Sequence, residues 1–248
     1  MNFASLFSGI DGLGLGLERA GMTCVVQVEL NKFCREVLAA RRPGVPQHDD
    51  VRTFPEWWGT TRRPDVDLVA GGFPCQPFSR AGYRQGMADE RWGWPWMLDA
   101  IRVLRPRYVL VENVSALLND APAFGTVLAD LHTIGFDAQW GVITACALGA
   151  PHTRERLFIV AYPNGEPWPS GLGDGLERWA IQQVNGGSPT WPDREGWMEA
   201  AGGVGRMADG LPDPVEPSRV TALGNAVVPA VAEFFGHMIA EHQRRNQR

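Results

Sequence analysis

Short apolar runs alternate with amphipathic helical stretches over the first two-thirds of this chain, and that rhythm restricts the fold more than any other feature. Asn2–Phe7 and Thr23–Val28 read as strands, and Val66–Ala70, Tyr108–Val111, Ala138–Thr144 and Leu157–Tyr162 continue the series. Helices are predicted between them. Leu15–Ala20 follows a glycine-rich turn, Lys32–Arg41 is capped by Asn31 and ended by Pro43-Gly44, Met97–Leu104 is stopped by Pro106, and Ala123–Thr133 is closed by Gly135. Such alternation specifies an α/β fold, with a mostly parallel sheet covered by helices on both faces. The rhythm stops at Pro163. The stretch 163–205 is rich in Gly, Pro and Trp (Trp168, Trp179, Trp191, Trp197), too aromatic for a linker, and reads as a small irregular insertion. Order returns near Ser218, and Val227–Arg245 reads as a terminal helix with Pro229 in its first turn. The expected units are therefore 1–162, 163–205 and a closing segment 206–248 that packs back on the first.

A chain of 248 residues with 44% hydrophobic content fits one globular domain with a small appendage. No apolar run is long enough to cross a bilayer, and Met1–Phe7 lacks the basic start of a signal peptide, so a cytoplasmic protein, in a bacterium or a phage-infected host, is expected. The four cysteines form no C-x-x-C pair and no His cluster accompanies them, which predicts neither a metal site nor a disulfide framework. Cys24 and Cys34 fall in apolar patterns and read as core residues. A net charge of −5 does not advertise nucleic-acid binding, although it says nothing of how charge is distributed. Lys32 is the only lysine, a bias best read as compositional, with the forked Arg side chain suited to phosphate or guanine at a few positions at most.

Open α/β sheets bind ligands at the carboxyl ends of their strands, and every suspicious polar cluster lies at such an end. After the first strand comes Phe7-Ser8-Gly9-Ile10-Asp11-Gly12-Leu13-Gly14, whose glycines allow a close backbone approach. Glu29 ends the second strand and Asp50 falls where a third should end; together these suit an adenosine-containing cofactor, or else a plain turn with two surface acids. The spacing is G-x-x-G-x-G, which counts against the nicotinamide fingerprint G-x-G-x-x-G. Next is Gly71-Gly72-Phe73-Pro74-Cys75-Gln76-Pro77-Phe78-Ser79, in which Cys75 is expected to be rigidly held and exposed; a reactive thiol and a structural cysteine both fit. Glu112-Asn113-Val114 places an acid at the ligand edge, unless Asn113 or Ser115 merely caps a helix. Finally, His152-Thr153-Arg154-Glu155-Arg156 sets Arg154 and Arg156 on one face with Glu155 opposite, suited to phosphate, to a polarised carbonyl or to a surface ion-pair ladder.

In this order the segments resemble the C5-cytosine-specific DNA methyltransferase family, from near the first residue to about Phe235. The glycine loop resembles its motif I, Gly72–Gln76 its Pro-Cys motif, Glu112-Asn113-Val114 its ENV motif, Arg154 and Arg156 its R-x-R motif, and Gly224-Asn225-Ala226-Val227-Val228 its last motif. Asp89-Glu90-Arg91 is similar to motif V, with Trp94 then beside the cofactor. The resemblance implies a Rossmann-like fold binding S-adenosylmethionine, with Phe7, Gly9, Ile10, Gly12, Glu29, Leu30, Asp50, Val51, Pro74, Asn225 and Ala226 lining the cofactor pocket. It implies Cys75, Glu112, Arg154 and Arg156 as the catalytic set, double-stranded DNA as the substrate, 163–205 as a target-recognition region, and a monomer that a restriction endonuclease could accompany. Three departures stand out: Asp11 replaces a common Gly, His152 replaces a common Gln, and the recognition region is short.

The implied chemistry is addition of the Cys75 thiolate to carbon 6 of cytosine, which makes carbon 5 nucleophilic. An unperturbed thiol near pKa 8.5 supplies a minor thiolate fraction at neutral pH. Glu112 would serve the ring's N3, and Arg154 or Arg156 its O2 or a phosphate. Ser79–Gly93, with Gly82, Gly86 and Gly93 as hinges, is expected to close over the extruded base. The rival readings are an RNA cytosine-5 methyltransferase, an inactive DNA-binding relic, which the intact Cys75, Glu112, Arg154 and Arg156 oppose, and, more distantly, a nicotinamide oxidoreductase.

Overall fold

A computed structural model describes residues 1–60, 63–75, 92–148, 154–168, 175, 222 and 226–247. Seven strands form one sheet: β1 (Asn2–Leu6), β2 (Thr23–Val28), β3 (Gln47–His48), β4 (Leu68–Gly71), β5 (Tyr108–Asn113), β6 (Phe136–Thr144) and β7 (Glu155–Pro163), in the order β3-β2-β1-β4-β5-β7-β6. The first five run parallel, and β7 is antiparallel to both of its neighbours. The helices whose bounds fall among the described residues are α1 (Gly12–Arg19), α2 (Lys32–Arg41), α3 (Phe54–Gly59), α4 (Trp94–Leu104), α5 (Ala121–Thr133) and α6 (Pro229–Asn246).

The continuous apolar runs arise because both faces of the sheet are covered. Alternate residues split cleanly between two cores. Ala4, Val69, Val109, Val111 and Ile159 face α4 and α5, packing on Met97, Ile101, Val127 and Leu131. Phe3, Leu68, Leu110, Phe158 and Val160 face α1 and α6, packing on Leu17, Val231, Phe235 and Ile239. The second layer is tight because α1 presents glycine to α6. A Cβ on Gly16 would stand 2.2 Å from the Pro229 carbonyl oxygen, and one on Gly12 would stand 2.1 Å from that of Val227.

Caps behave as the side chains dictate. The Asn31 side chain accepts from the Cys34 N–H at 3.2 Å, and Asp120 accepts from Ala123 at 3.0 Å. The predicted helices and strands are all present, with ends moved by a few residues; α3 was not anticipated. Glu112-Asn113 does not cap a helix. A 3-10 turn, Ser115–Asn119, follows instead, without a side-chain cap.

Chain direction reverses between β1 and β4: β1 leads outward to β2 and β3, and the chain then returns to β4 on the other side. The crevice between their carboxyl ends is where this topology takes ligands. The loops after β1 and β4 meet there, with the end of β5 alongside. The insertion lies outside the described residues except for 163–168 and Gly175. Of its four tryptophans, Trp168 is described, and it stacks on Tyr162 and His242 with ring centroids 4.8 Å apart in each case.

Candidate functional site

The loop after β1 is built from left-handed backbone. Phe7, Gly9 and Asp11 have φ of 52°, 55° and 61°, a conformation that costs an ordinary side chain about 1–2 kcal/mol. Strain of that size persists only where other contacts impose it. Here Ser8 N–H donates to the Val28 carbonyl at 3.0 Å, Asp11 N–H donates to that of Ser8 at 2.8 Å, and Gly9 N–H donates to the Glu29 carboxylate at 2.6 Å. The other Glu29 oxygen accepts from Asn31 N–H at 2.7 Å, so Glu29 straps the loop to the end of β2.

After β4, Gly72-Phe73-Pro74-Cys75 turns under the sheet edge. Phe73 packs edge-on against Trp92 at 5.2 Å, and Cys75 forms a β-bridge with Trp92. Gly93 N–H donates to the Pro74 carbonyl at 3.1 Å. Asn113 amide donates to the Phe73 carbonyl at 3.1 Å, tying the end of β5 to the cysteine loop. Cys75, expected to be exposed, is buried, with 8% of its surface accessible. Burial, aided by the negative charge of Asp120, pushes its thiol up to about 12. At neutral pH such a thiol is ionised to about one part in 10⁵, well below the minor fraction expected from an unperturbed cysteine.

Glu112 is buried near the carboxyl end of β5. Burial raises its carboxyl above the usual range, opposed by the nearby guanidinia of Arg156 and Arg154. Arg156 Nε lies 2.9 Å from Glu112 Oε1. Room for the carboxylate depends on Gly72, since a Cβ there would stand 2.7 Å from Glu112 Oε2. Arg154 and Arg156 flank an exposed Glu155 as the alternation predicted, and burial together with the charge of Arg156 lowers the Arg154 guanidinium.

These pieces surround one cavity of about 510 Å³. Its lining joins Phe7, Gly9, Gly12, Glu29, Pro74 and Ala226 to Cys75, Glu112 and Arg156. Ile10, Leu30, Asp50, Val51 and Arg154 do not line it. Leu30 is 68% exposed, Val51 is in the core, and Asp50 is held by Arg52 at 2.6 Å, which keeps its carboxyl below the usual range. Trp94 is not beside the cavity either; it is core, and its indole N–H donates to Asp130 at 2.8 Å. Asn225, His152, Asp89-Glu90-Arg91 and the greater part of Ser79–Gly93 lie outside the described residues.

Sequence reasoning missed Ser5, Asn31 and Cys34 in the lining. Ser5 carried a signal, as a polar residue within an apolar strand. Cys34 carried none, because a buried cysteine on an amphipathic helix looks like core from either side. Asp11 is neither a gap in the loop nor a ligand-facing residue. It is 1% exposed, and its carboxylate caps α1 by accepting from Gly14 N–H at 3.0 Å.

The profile of the C-5 cytosine-specific DNA methylase family matches residues 1–200. The Type II methyltransferase M.BsuFI of Bacillus subtilis is 35% identical over 65% of this chain and 39% of its own length. M.NlaX of Neisseria lactamica is 31% identical over 75% of this chain and 63% of its own length. M.NaeI of Lentzea aerocolonigenes is 28% identical over 96% of this chain and 74% of its own length, in an alignment of 310 residues that is longer than the chain itself. The chain thus spans 39% to 63% of the length of the first two relatives. Among solved structures, S. pombe Dnmt2 methyltransferase has a TM-score of 0.58 at 22% identity, over 71% of this chain and 55% of that one. A mutant of Spodoptera frugiperda DNMT2 has a TM-score of 0.56 at 22% identity, over 68% and 52%. At these identities the structures speak for the fold, a Rossmann-like methyltransferase sheet.

Proposed function

The chain belongs to the C-5 cytosine-specific DNA methylase family, and on that premise we propose that it transfers a methyl group from S-adenosylmethionine to carbon 5 of cytosine in DNA, with Cys75 as nucleophile. The observation that carries this reading is the shared cavity. Cys75, Glu112 and Arg156, delivered by three different loops and strands, face the same space as the glycine loop and Glu29.

The cofactor end fits S-adenosylmethionine and fits a dinucleotide poorly. In dinucleotide folds the first helix offers its N-terminal N–H groups to a pyrophosphate. Here one of those N–H groups, that of Gly14, is already taken by the carboxylate of Asp11. Phe7 offers an apolar face, and Glu29, with lone pairs beyond those used by Gly9 and Asn31, can accept from ribose hydroxyls. When bound, S-adenosylmethionine supplies the electrophilic methyl group that carbon 5 takes up.

At the other end, cytosine must leave the helix before its carbon 6 can be reached, at a cost of a few kcal/mol. The thiol of Cys75 gives its proton to solvent water and its sulfur bonds to carbon 6, placing negative charge on N3 and O2 of the ring. Glu112, whose affinity for a proton is raised by burial, donates a proton to N3. Arg156 fixes the orientation of Glu112 through the 2.9 Å contact and presents positive charge beside O2. Return of the N3 proton to Glu112, with loss of the carbon-5 proton to solvent water, then expels the Cys75 thiolate and restores the aromatic ring. Because the resting thiol is so weakly acidic, most of the activation has to arrive with the substrate.

A methyl-labelled assay with DNA and RNA presented in parallel tests the reading. Label in DNA, lost in Cys75→Ala, is expected; label in RNA alone would overturn the choice of substrate, and undiminished label in Cys75→Ala would overturn the role of the cysteine.

A further inference from the structure

Asp11 is the residue that departs from the family resemblance inside the cofactor loop, and its surroundings show what it does there. All of its acceptor capacity is used. Oδ1 accepts from the Ser5 hydroxyl at 2.9 Å and from Gly14 N–H at 3.0 Å, while Oδ2 accepts from the Gln27 amide at 2.8 Å and from Arg42 at 2.6 Å. A carboxylate offers about four such positions, so none is left for a ligand. Arg42 comes from the end of α2 and uses its remaining nitrogens on Glu18, with both contacts at 2.6 Å. One buried charge thereby joins β1, the loop, α1, β2 and α2.

The backbone of Asp11 is left-handed, which aspartate tolerates better than most residues, and Gly9, two residues before it, is left-handed as well. The loop is therefore fastened at Gly9 and again at Asp11. Glu29 holds Gly9 N–H, and the carboxylate of Asp11 holds the entry to α1. Neither Asp11 nor Arg42 lines the cavity.

The geometry points to Asp11 and Arg42 as positioning residues for cofactor binding. They act through the loop, by holding Phe7 and Gly9 in the shape that faces the cavity. A glycine at position 11 would adopt the same φ without a side chain to fasten. This chain fixes the turn with a charge and supplies the cation to balance it from a neighbouring helix. The inference rests on the reading of the site as one for S-adenosylmethionine.

Calorimetric titration of the free protein with S-adenosylmethionine separates the two. Wild-type protein that does not bind it would overturn the cofactor reading itself. If wild type binds, Arg42→Lys, which keeps the charge but loses the fork, is expected to bind several-fold more weakly, and Arg42→Met at least tenfold more weakly. KM for DNA and kcat at saturating cofactor should stay within about twofold of wild type. Glu18→Gln is the control. It removes the charge and one of the two acceptor oxygens of the other partner of Arg42 without touching Asp11, and it should lower the melting temperature while leaving cofactor affinity unchanged. If Arg42→Met does not fold, Arg42→Lys and Asp11→Asn decide. Wild-type affinity in both folded variants would overturn the inference, as would an equal loss of affinity in Glu18→Gln, which would mean that the network supports only the fold.

Discussion

Replacing Glu112 by Gln should remove most of the turnover and stabilise the protein, and the combination is diagnostic. Burial raises the Glu112 carboxyl, and this outweighs the opposing pull of Arg156 and Arg154. A group whose proton affinity is higher folded than unfolded contributes its full stability below its unfolded value, near 4.5, and loses that contribution as pH rises through the raised folded value. At pH 8 the ionised carboxylate therefore works against folding. Each tenfold gain in proton affinity on burial is worth about 1.4 kcal/mol. For a chain of this size, 1 kcal/mol moves the melting temperature by roughly 2–4 °C. Glutamine keeps the shape, still accepts from Arg156 Nε, and carries no charge. Glu112→Gln should melt a few degrees above wild type at pH 8, and the difference should close as pH falls toward 5. Meanwhile single-turnover methylation should fall by about 10²–10⁴-fold, because the amide cannot give N3 a proton. A variant that melts several degrees lower at pH 8 would show that the pair with Arg156, not burial, dominates the carboxyl. A rate within a few-fold of wild type would show that Glu112 does no proton work.

Alkylation of Cys75 by iodoacetamide in the free protein should be slow and should rise about tenfold per pH unit between pH 7 and 9, as expected for a thiol near 12; mass spectrometry of the Cys75 peptide reads it, and a plateau near pH 8.5 would refute the burial argument. Glu29→Ala should weaken S-adenosylmethionine binding by about 1.5–3 kcal/mol in calorimetry, and an unchanged affinity in a folded variant would remove Glu29 from the cofactor site. Exchanging 163–205 for the corresponding segment of a related enzyme should change the DNA site found by bisulfite sequencing; an active chimera that keeps the original site would place recognition elsewhere.

The strand–helix rhythm was legible because both faces of this sheet are packed. Runs such as Tyr108–Val111 are apolar at every position, and the polar residue that ends each one marks the ligand edge. That is why Glu29, Cys75 and Glu112 could be picked out as strand-end residues and were found around one cavity. What escaped depends on contacts distant in sequence. Nothing near Asp11 announces that Arg42 and Gln27 will meet its carboxylate, and nothing near Cys75 says that Trp92 will cover it. Asp50 shows another contact that the strand pattern does not reveal. Its place after a strand suggested a ligand, but Arg52, two residues on, satisfies it. Likewise Trp94, expected at the cofactor, is drawn into the core by its own helix and by Asp130.

The central claim is that Cys75 bonds covalently to carbon 6 of the target cytosine, and trapping tests it directly. An oligonucleotide carrying 5-fluorocytosine at the target site, incubated with the protein and S-adenosylmethionine, cannot lose fluorine as it would lose a proton. The account predicts a protein–DNA band that survives denaturing electrophoresis, depends on the cofactor and disappears in Cys75→Ala. Methylation of ordinary DNA by the wild-type protein, with no trapped band on the fluorinated site, would contradict it.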